Sequence, residues 1–156
     1  ERIDPAVTRR VVGLDINPEY LDATARRYSG RFEDLVLCNA DIAGEELQGE
    51  PVDLIYAALI FEYVDMSAAL RNLSSQCRQA GHLIAVLQLP SLQAPAITPT
   101  AVATVRCLAS AMTLVDPPAL VEGARAGGFA LTESTTVTSS AGKRFAVQIY
   151  QRLPAE

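Results

Sequence analysis

The stretch Val11-Val12-Gly13-Leu14-Asp15-Ile16-Asn17-Pro18-Glu19 decides how the rest of the chain is read. It is a short apolar run ending on an acid, followed by an N-cap asparagine, a proline suited to a first helical position and an early acidic residue. A strand therefore feeds a helix. Leu21, Ala25 and Tyr28 continue the helical stripe, and Ser29-Gly30 stops it. Leu35-Val36-Leu37-Cys38 is a second apolar run that closes on Asn39-Ala40-Asp41. Val52 to Ile60 is a third run. A helix is predicted from about Ser67, with Leu70, Leu73 and Cys77 on one face and Gly81 as its stop. Leu83 to Leu89 is the fourth run. These runs are continuously apolar rather than alternating, as strands buried on both faces of a parallel sheet are. The fold class is α/β.

After Pro90 the chain is rich in Pro, Ser and Thr and reads as a loop. A helix carrying Val102, Val105, Ala109 and Met112 follows, so residues 91–115 are expected to form an insertion or lid. Asp116-Pro117-Pro118 opens a further helix, which Gly127-Gly128 closes. The tail then changes period. Phe145, Val147 and Ile149 alternate with Ala146, Gln148 and Tyr150, and Leu131 to Thr138 is their partner across the turn Ser139-Ser140-Ala141-Gly142. An antiparallel hairpin ends a mostly parallel sheet.

Composition bounds the function. The 156 residues are 49% hydrophobic and 20% charged, the profile of one globular domain with its own core. Lys plus Arg number 13 against 18 Asp plus Glu, and the net charge of −5 argues against tracking a nucleic-acid backbone. Cys38, Cys77 and Cys107 are an odd number without metal-ligand spacing. They read as core thiols in a reducing compartment, with no metal expected. No apolar run reaches the roughly 18 to 20 residues of a membrane helix, and the first residues lack the apolar core of a signal peptide. A cytoplasmic location is expected, with no membrane partner.

Two acids carry the first chemical signal. Asp15 ends a strand at the carboxyl edge, where a carboxylate can accept from both hydroxyls of a nucleotide ribose. Asp41 ends the next strand beside Ile42, an acceptor and an apolar wall of the kind an adenine needs. The bland reading of either acid is a helix cap or a solvated loop residue.

The run Val12 to Leu21, then Cys38-Asn39-Ala40-Asp41, then Val52 to Asp65 resembles, in order and spacing, the successive motifs of class I S-adenosylmethionine-dependent methyltransferases. Residues Ala69 to Val86 and the terminal helix and hairpin are similar to the family's later elements. The resemblance implies a Rossmann-like, doubly wound fold with helices on both faces, and S-adenosylmethionine as cofactor with S-adenosylhomocysteine as product. It also implies cofactor contacts at Asp15, Ile16, Asp41, Ile42, Ala57, Ala58 and Leu59, with Asp15 on the ribose and Asp41 on the adenine amine. The chain departs from the family at Tyr63, where many members carry a histidine. It departs again before Val11, where the family's first strand and glycine-rich loop belong. That strand sits between the strands placed at Val11 to Asp15 and Val52 to Ile60, and its loss would leave two interior edges unpaired. The natural polypeptide is therefore expected to extend upstream by a strand, a glycine-rich turn and most of a helix.

The activity expected from this resemblance is methyl transfer to a small-molecule acceptor by in-line displacement at the sulfonium, with alignment and a water-poor pocket as the protein's main contribution. Glu62, Tyr63, Lys143 and Arg144 are the candidates to touch the acceptor; the bland reading of the first two is a solvated turn with one packed aromatic, and a charged turn such as that of Lys143 and Arg144 is usually only solvated. His82 precedes its strand at the edge opposite the exits and reads as structural. A homodimer is an allowed assembly. The rivals are a nicotinamide-dependent NAD(P) oxidoreductase, which also uses an acid after its second strand, and a non-catalytic domain that keeps the fold.

Overall fold

The computed structural model describes residues 3–44, 46–91 and 111–154. β1 (Arg10–Asp15), α1 (Pro18–Tyr28) and β2 (Asp34–Asn39) form the expected strand, helix, strand unit. Asn17 caps α1 by accepting from the backbone N–H of Glu19 at 3.0 Å, with Pro18 at the first helical position. β1 and β2 pair in parallel from Arg10 with Asp34 to Asp15 with Asn39. The exits of both strands therefore lie at one edge.

The second sheet contains β3 (Val52–Ala58), β4 (Cys77–Leu89), β5 (Phe129–Thr138) and β6 (Arg144–Arg152), in the order β3-β4-β6-β5. β3 and β4 are parallel, and β6 is antiparallel to both of its neighbours. Two helices accompany this sheet, α2 (Met66–Gln76) and α3 (Pro117–Ala126). Leu83, Ala85 and Leu87 alternate along β4 and are fully buried, in one core with Ala69, Leu70 and Leu73 of α2 and Leu120 and Ala124 of α3. The period of two on the strand and of three to four on the helices is what packs these elements together. Phe129 and Tyr150 complete the same core from the hairpin. On β3, Leu54 is 56% and Tyr56 68% exposed. Among the described residues no ladder joins β1 to β3.

Two boundaries differ from the sequence reading. The helical stripe was expected to run through Cys77 and stop at Gly81, yet α2 ends at Gln76 and Cys77 already pairs with Val52. Strand pairing claims these residues, and Gly81 serves a close approach rather than a helix end. A β-carbon there would lie 2.8 Å from the Arg78 carbonyl oxygen and 2.9 Å from that of Asp53. The third apolar run stops as a strand at Ala58, because Leu59 turns into the left-handed region with φ 57°. The helix expected through Val102, Val105 and Ala109, most of the 91–115 lid and Cys107 lie outside the described residues. Among those described, no helix is long and apolar enough to cross a membrane.

Candidate functional site

The β1 exit is built by side chains of the two strands. Asp15 Oδ1 accepts from the Asn17 backbone N–H at 2.8 Å, which folds the chain back toward α1. Asn39 Nδ2 donates to the backbone oxygens of Asp15 (3.0 Å) and Ile16 (2.9 Å), and Ala40 N–H donates to Asp15 O at 3.3 Å. These bonds fasten the ends of β1 and β2 together and leave the Asp15 carboxylate half-buried at the edge. Ile16 is 67% exposed beside it. Asp41 is exposed, and its Oδ1 accepts from Ala43 N–H at 2.9 Å. Ile42 instead turns its side chain into the core, and its carbonyl accepts from Asn72 Nδ2 of α2 at 2.7 Å. α2 also holds the following loop through Gln76 Nε2, which donates to Leu47 O at 2.8 Å.

The β3 exit is more strained. Ala57 is buried and Ala58 exposed. Leu59 holds its left-handed backbone while its N–H donates to Val86 O of β4 at 2.9 Å. A non-glycine residue in that conformation costs roughly 1–2 kcal/mol and is found where a site over-determines it. The turn that follows buries Phe61 and Glu62 against the core. Glu62 Oε1 accepts from the Gln88 backbone N–H at 2.7 Å, and the Glu62 carbonyl accepts from Thr113 N–H at 2.8 Å. Burial pushes the Glu62 carboxyl above its usual range, against the lowering effect of the Gln88 bond. Burial, and then the Glu62 charge, push the Tyr63 phenol up as well.

Glu62 and Tyr63 line a cleft of about 540 Å³, together with Phe61, Asp65, Thr113 and Asp116. Lys143 and Arg144 do not line it. Lys143 ends the hairpin turn, where its N–H donates to Ser139 Oγ at 3.1 Å and Ser91 Oγ reaches Gly142 O at 3.1 Å, whereas Arg144 is already the first residue of β6 rather than part of the turn. Register sets Arg144 opposite Leu89, so the turn stands at the same edge as the β4 exit. His82 is exposed and pairs with Leu54 near the other end of the β3–β4 ladder. Among the described residues no cluster of His, Cys, Asp and Glu is placed to hold a metal. The sequence reading did not single out Gln88, Thr113, Asn39 or Asn72. All four act through contacts distant in sequence, and only Asn39 had a visible signal, in its place after an apolar run.

A family model described as a methyltransferase domain matches residues 2–85, more than half of the chain. The chain belongs to the S-adenosylmethionine-dependent methyltransferases. The oxidoreductase reading is thereby set aside. No curated protein matches this methyltransferase. Among solved structures it is similar to the N-methyltransferase NodS from Bradyrhizobium japonicum WM9 in complex with S-adenosylhomocysteine. That pair has 18% identity and a TM-score of 0.67, over 92% of this chain and 66% of the other. An S-adenosylmethionine-dependent methyltransferase from Mesorhizobium loti matches at 19% identity and TM-score 0.70, over 93% and 81%. The 1,6-didemethyltoxoflavin-N1-methyltransferase of Burkholderia thailandensis matches at 18% identity and TM-score 0.66, over 93% and 62%. At these identities the likeness is one of fold, and the chain spans about two thirds of the length of NodS.

Proposed function

We propose that this methyltransferase binds S-adenosylmethionine across the exits of β1, β2 and β3 and transfers its methyl group to a small-molecule acceptor. The observation that carries this reading is the Asp15 carboxylate at the β1 exit, with Asn39 fastening the backbone around it. Its Oδ1 is shared with Asn17, and Oδ2 has no partner among the described residues, so a ribose diol can be accepted there. Asp41 presents its carboxylate at the neighbouring exit for the adenine amine, and exposed Ile16 offers apolar surface to the ring. Ala57, Ala58 and Leu59 would face the sulfonium, and Glu62 with Tyr63 the acceptor. These groups fit the adenosine half of the cofactor, whose chemistry is an activated methyl on a positively charged sulfur. The 1,6-didemethyltoxoflavin bound by the Burkholderia thailandensis relative is a small molecule, in keeping with the size of the cleft. Calorimetric titration of the full-length protein with S-adenosylhomocysteine tests the reading. Asp15→Ala removes charge-assisted hydrogen bonds worth about 1.5–3 kcal/mol and is expected to weaken binding roughly 10- to 150-fold. Unchanged affinity in Asp15→Ala would refute the assignment.

We also propose that a strand from the polypeptide upstream of Glu1 lies between β1 and β3, and that the chain is one methyltransferase domain completed by it. The support is physical. β1 pairs only with β2 and β3 only with β4 among the described residues, which leaves one ladder edge of each unpaired there. Hydrogen exchange on the protein with its native upstream sequence should show the amides of both facing edges protected. Free exchange at both edges would exclude such a strand.

A further inference from the structure

The cleft at the β3 exit has a chemical bias. Its charged lining residues are Glu62, Asp65 and Asp116, and no Lys, Arg or His lines it among the described residues. Asp65 is exposed and committed to capping α2, with its Oδ1 accepting from Ala68 N–H at 2.7 Å. Asp116 stands at the N-cap of α3 and makes no side-chain cap bond. Glu62 differs from both. It is 1% exposed, and while Oε1 accepts from Gln88, Oε2 is buried with no partner among the described residues. A buried carboxyl oxygen without a donor is costly and uncommon in native structures. A donor supplied by a ligand would satisfy it.

We propose that this cleft takes the acceptor through a basic nitrogen held by Glu62 Oε2, with Glu62 receiving the proton that the nitrogen must lose, so that the substrate is a small primary or secondary amine. The inference rests on the methyl-transfer reading of the neighbouring exits. Three carboxyl groups around one cleft repel a carboxylate or phosphate acceptor and attract an ammonium. An ammonium has no lone pair to attack with, so its proton passes first to the Glu62 carboxylate. The nitrogen lone pair then forms the N–C bond as the C–S bond breaks, and that electron pair returns to sulfur as the neutral thioether. Glu62 gives its proton to solvent when the methylated ammonium leaves. Its raised pKa brings the carboxyl closer to neutrality, where a base is most effective. The titratable groups that share its surroundings are Tyr63 and Asp65 from its own segment and Asp116 from the start of α3. β4 faces it with a backbone N–H, and the segment before α3 with Thr113, neither of which titrates.

The test uses full-length protein saturated with S-adenosylhomocysteine and three probes of matched shape: benzylamine, benzyl alcohol and phenylacetate. The Gln88 and Thr113 amides, both bonded to Glu62, are the NMR reporters. Benzylamine is expected to shift both amides saturably, with the alcohol weaker and phenylacetate inert. Glu62→Gln keeps an acceptor for the Gln88 N–H and is expected to weaken benzylamine at least tenfold, with a melting temperature no lower than that of wild type and S-adenosylhomocysteine affinity unchanged. With S-adenosylmethionine in its place, N-methylbenzylamine should form. Glu62→Gln should then lose the acidic limb of the kcat profile, and Glu62→Asp should restore part of it. Equal benzylamine binding by Glu62→Gln, equal binding of phenylacetate, or no shift at either amide overturns the amine subsite. Binding without any methylated product overturns the proton-acceptor role. Failure of S-adenosylhomocysteine to bind overturns the methyltransferase reading beneath both.

Discussion

Replacing Gly81 by alanine puts a methyl group 2.8 Å from the Arg78 carbonyl oxygen, 2.9 Å from the Asp53 carbonyl oxygen and 3.0 Å from Cys77 Sγ. Two of these neighbours are backbone atoms, and one belongs to the adjacent strand β3. Relief therefore requires β3 and β4 to separate near the Leu54 to His82 pairing. Overpacking of this kind costs about 1–3 kcal/mol. In a chain of this size each kcal/mol lowers the melting temperature by roughly 2–4 °C. Gly13→Ala is the informative comparison, because its new β-carbon would meet an atom at nearly the same distance, Leu37 Cδ2 at 2.9 Å. That atom is the end of a side chain, which a rotamer change moves, and alanine also reduces the entropy of the unfolded chain. Gly13→Ala is expected to stay within about 1 kcal/mol of wild type. Urea unfolding followed by circular dichroism gives both values, with the slope m checking that the unfolding transition keeps its character. Equal destabilisation by the two substitutions would refute the reasoning, since only the nature of the contacted atom separates them.

Other expectations follow from the same contacts. Glu62 binds its proton more tightly folded than unfolded, so its contribution to stability is fullest below the ordinary carboxyl range and is lost as pH rises through the folded value. Urea titrations of wild type and Glu62→Gln from acid to neutral pH should show the variant gaining relative stability as pH rises, and a constant difference would disprove it. Tyr150→Phe leaves the buried Gln148 Oε1 without the hydroxyl that donates to it at 2.7 Å, so a loss of about 1–3 kcal/mol is expected in chemical unfolding. A loss below about 0.5 kcal/mol would mean that the pair contributes little. Asn72→Ala frees the Ile42 carbonyl and loosens the loop carrying Asp41, so S-adenosylhomocysteine should bind several-fold more weakly although Asn72 lies on α2. Wild-type affinity in that variant would detach α2 from the adenine end of the site.

Local chemistry made much of the fold legible without a structure. Asn17-Pro18-Glu19 carries its own start signal, and α1 begins there because the cap and the proline act within one turn. The alternation of Phe145, Val147 and Ile149 likewise gives the period of β6 and its hairpin, although the face that the structure buries fully is the other one, with Ala146, Gln148 and Tyr150. The acids at 15 and 41 could be placed at strand ends because each apolar run terminates on them.

Where the determining contacts are distant in sequence, only the tertiary structure decided. The same Gly81 that reads as a helix stop is needed because a carbonyl of β3 passes beside it, and no local pattern records that approach. The sequence does not tell Ile42 from Ile16, whereas in the structure hydrophobic burial draws the Ile42 side chain into the core and Ile16 stays exposed. Glu62 in isolation is one more acid in a turn. Its burial comes from Phe61 entering the core, and its half-satisfied carboxyl from a backbone N–H 26 residues away on β4. The succession of elements along the chain and the identity of the chemical groups were thus written in periodicity and local capping. The electrostatic state of the site depended on which distant backbone atoms the packed core brought against it.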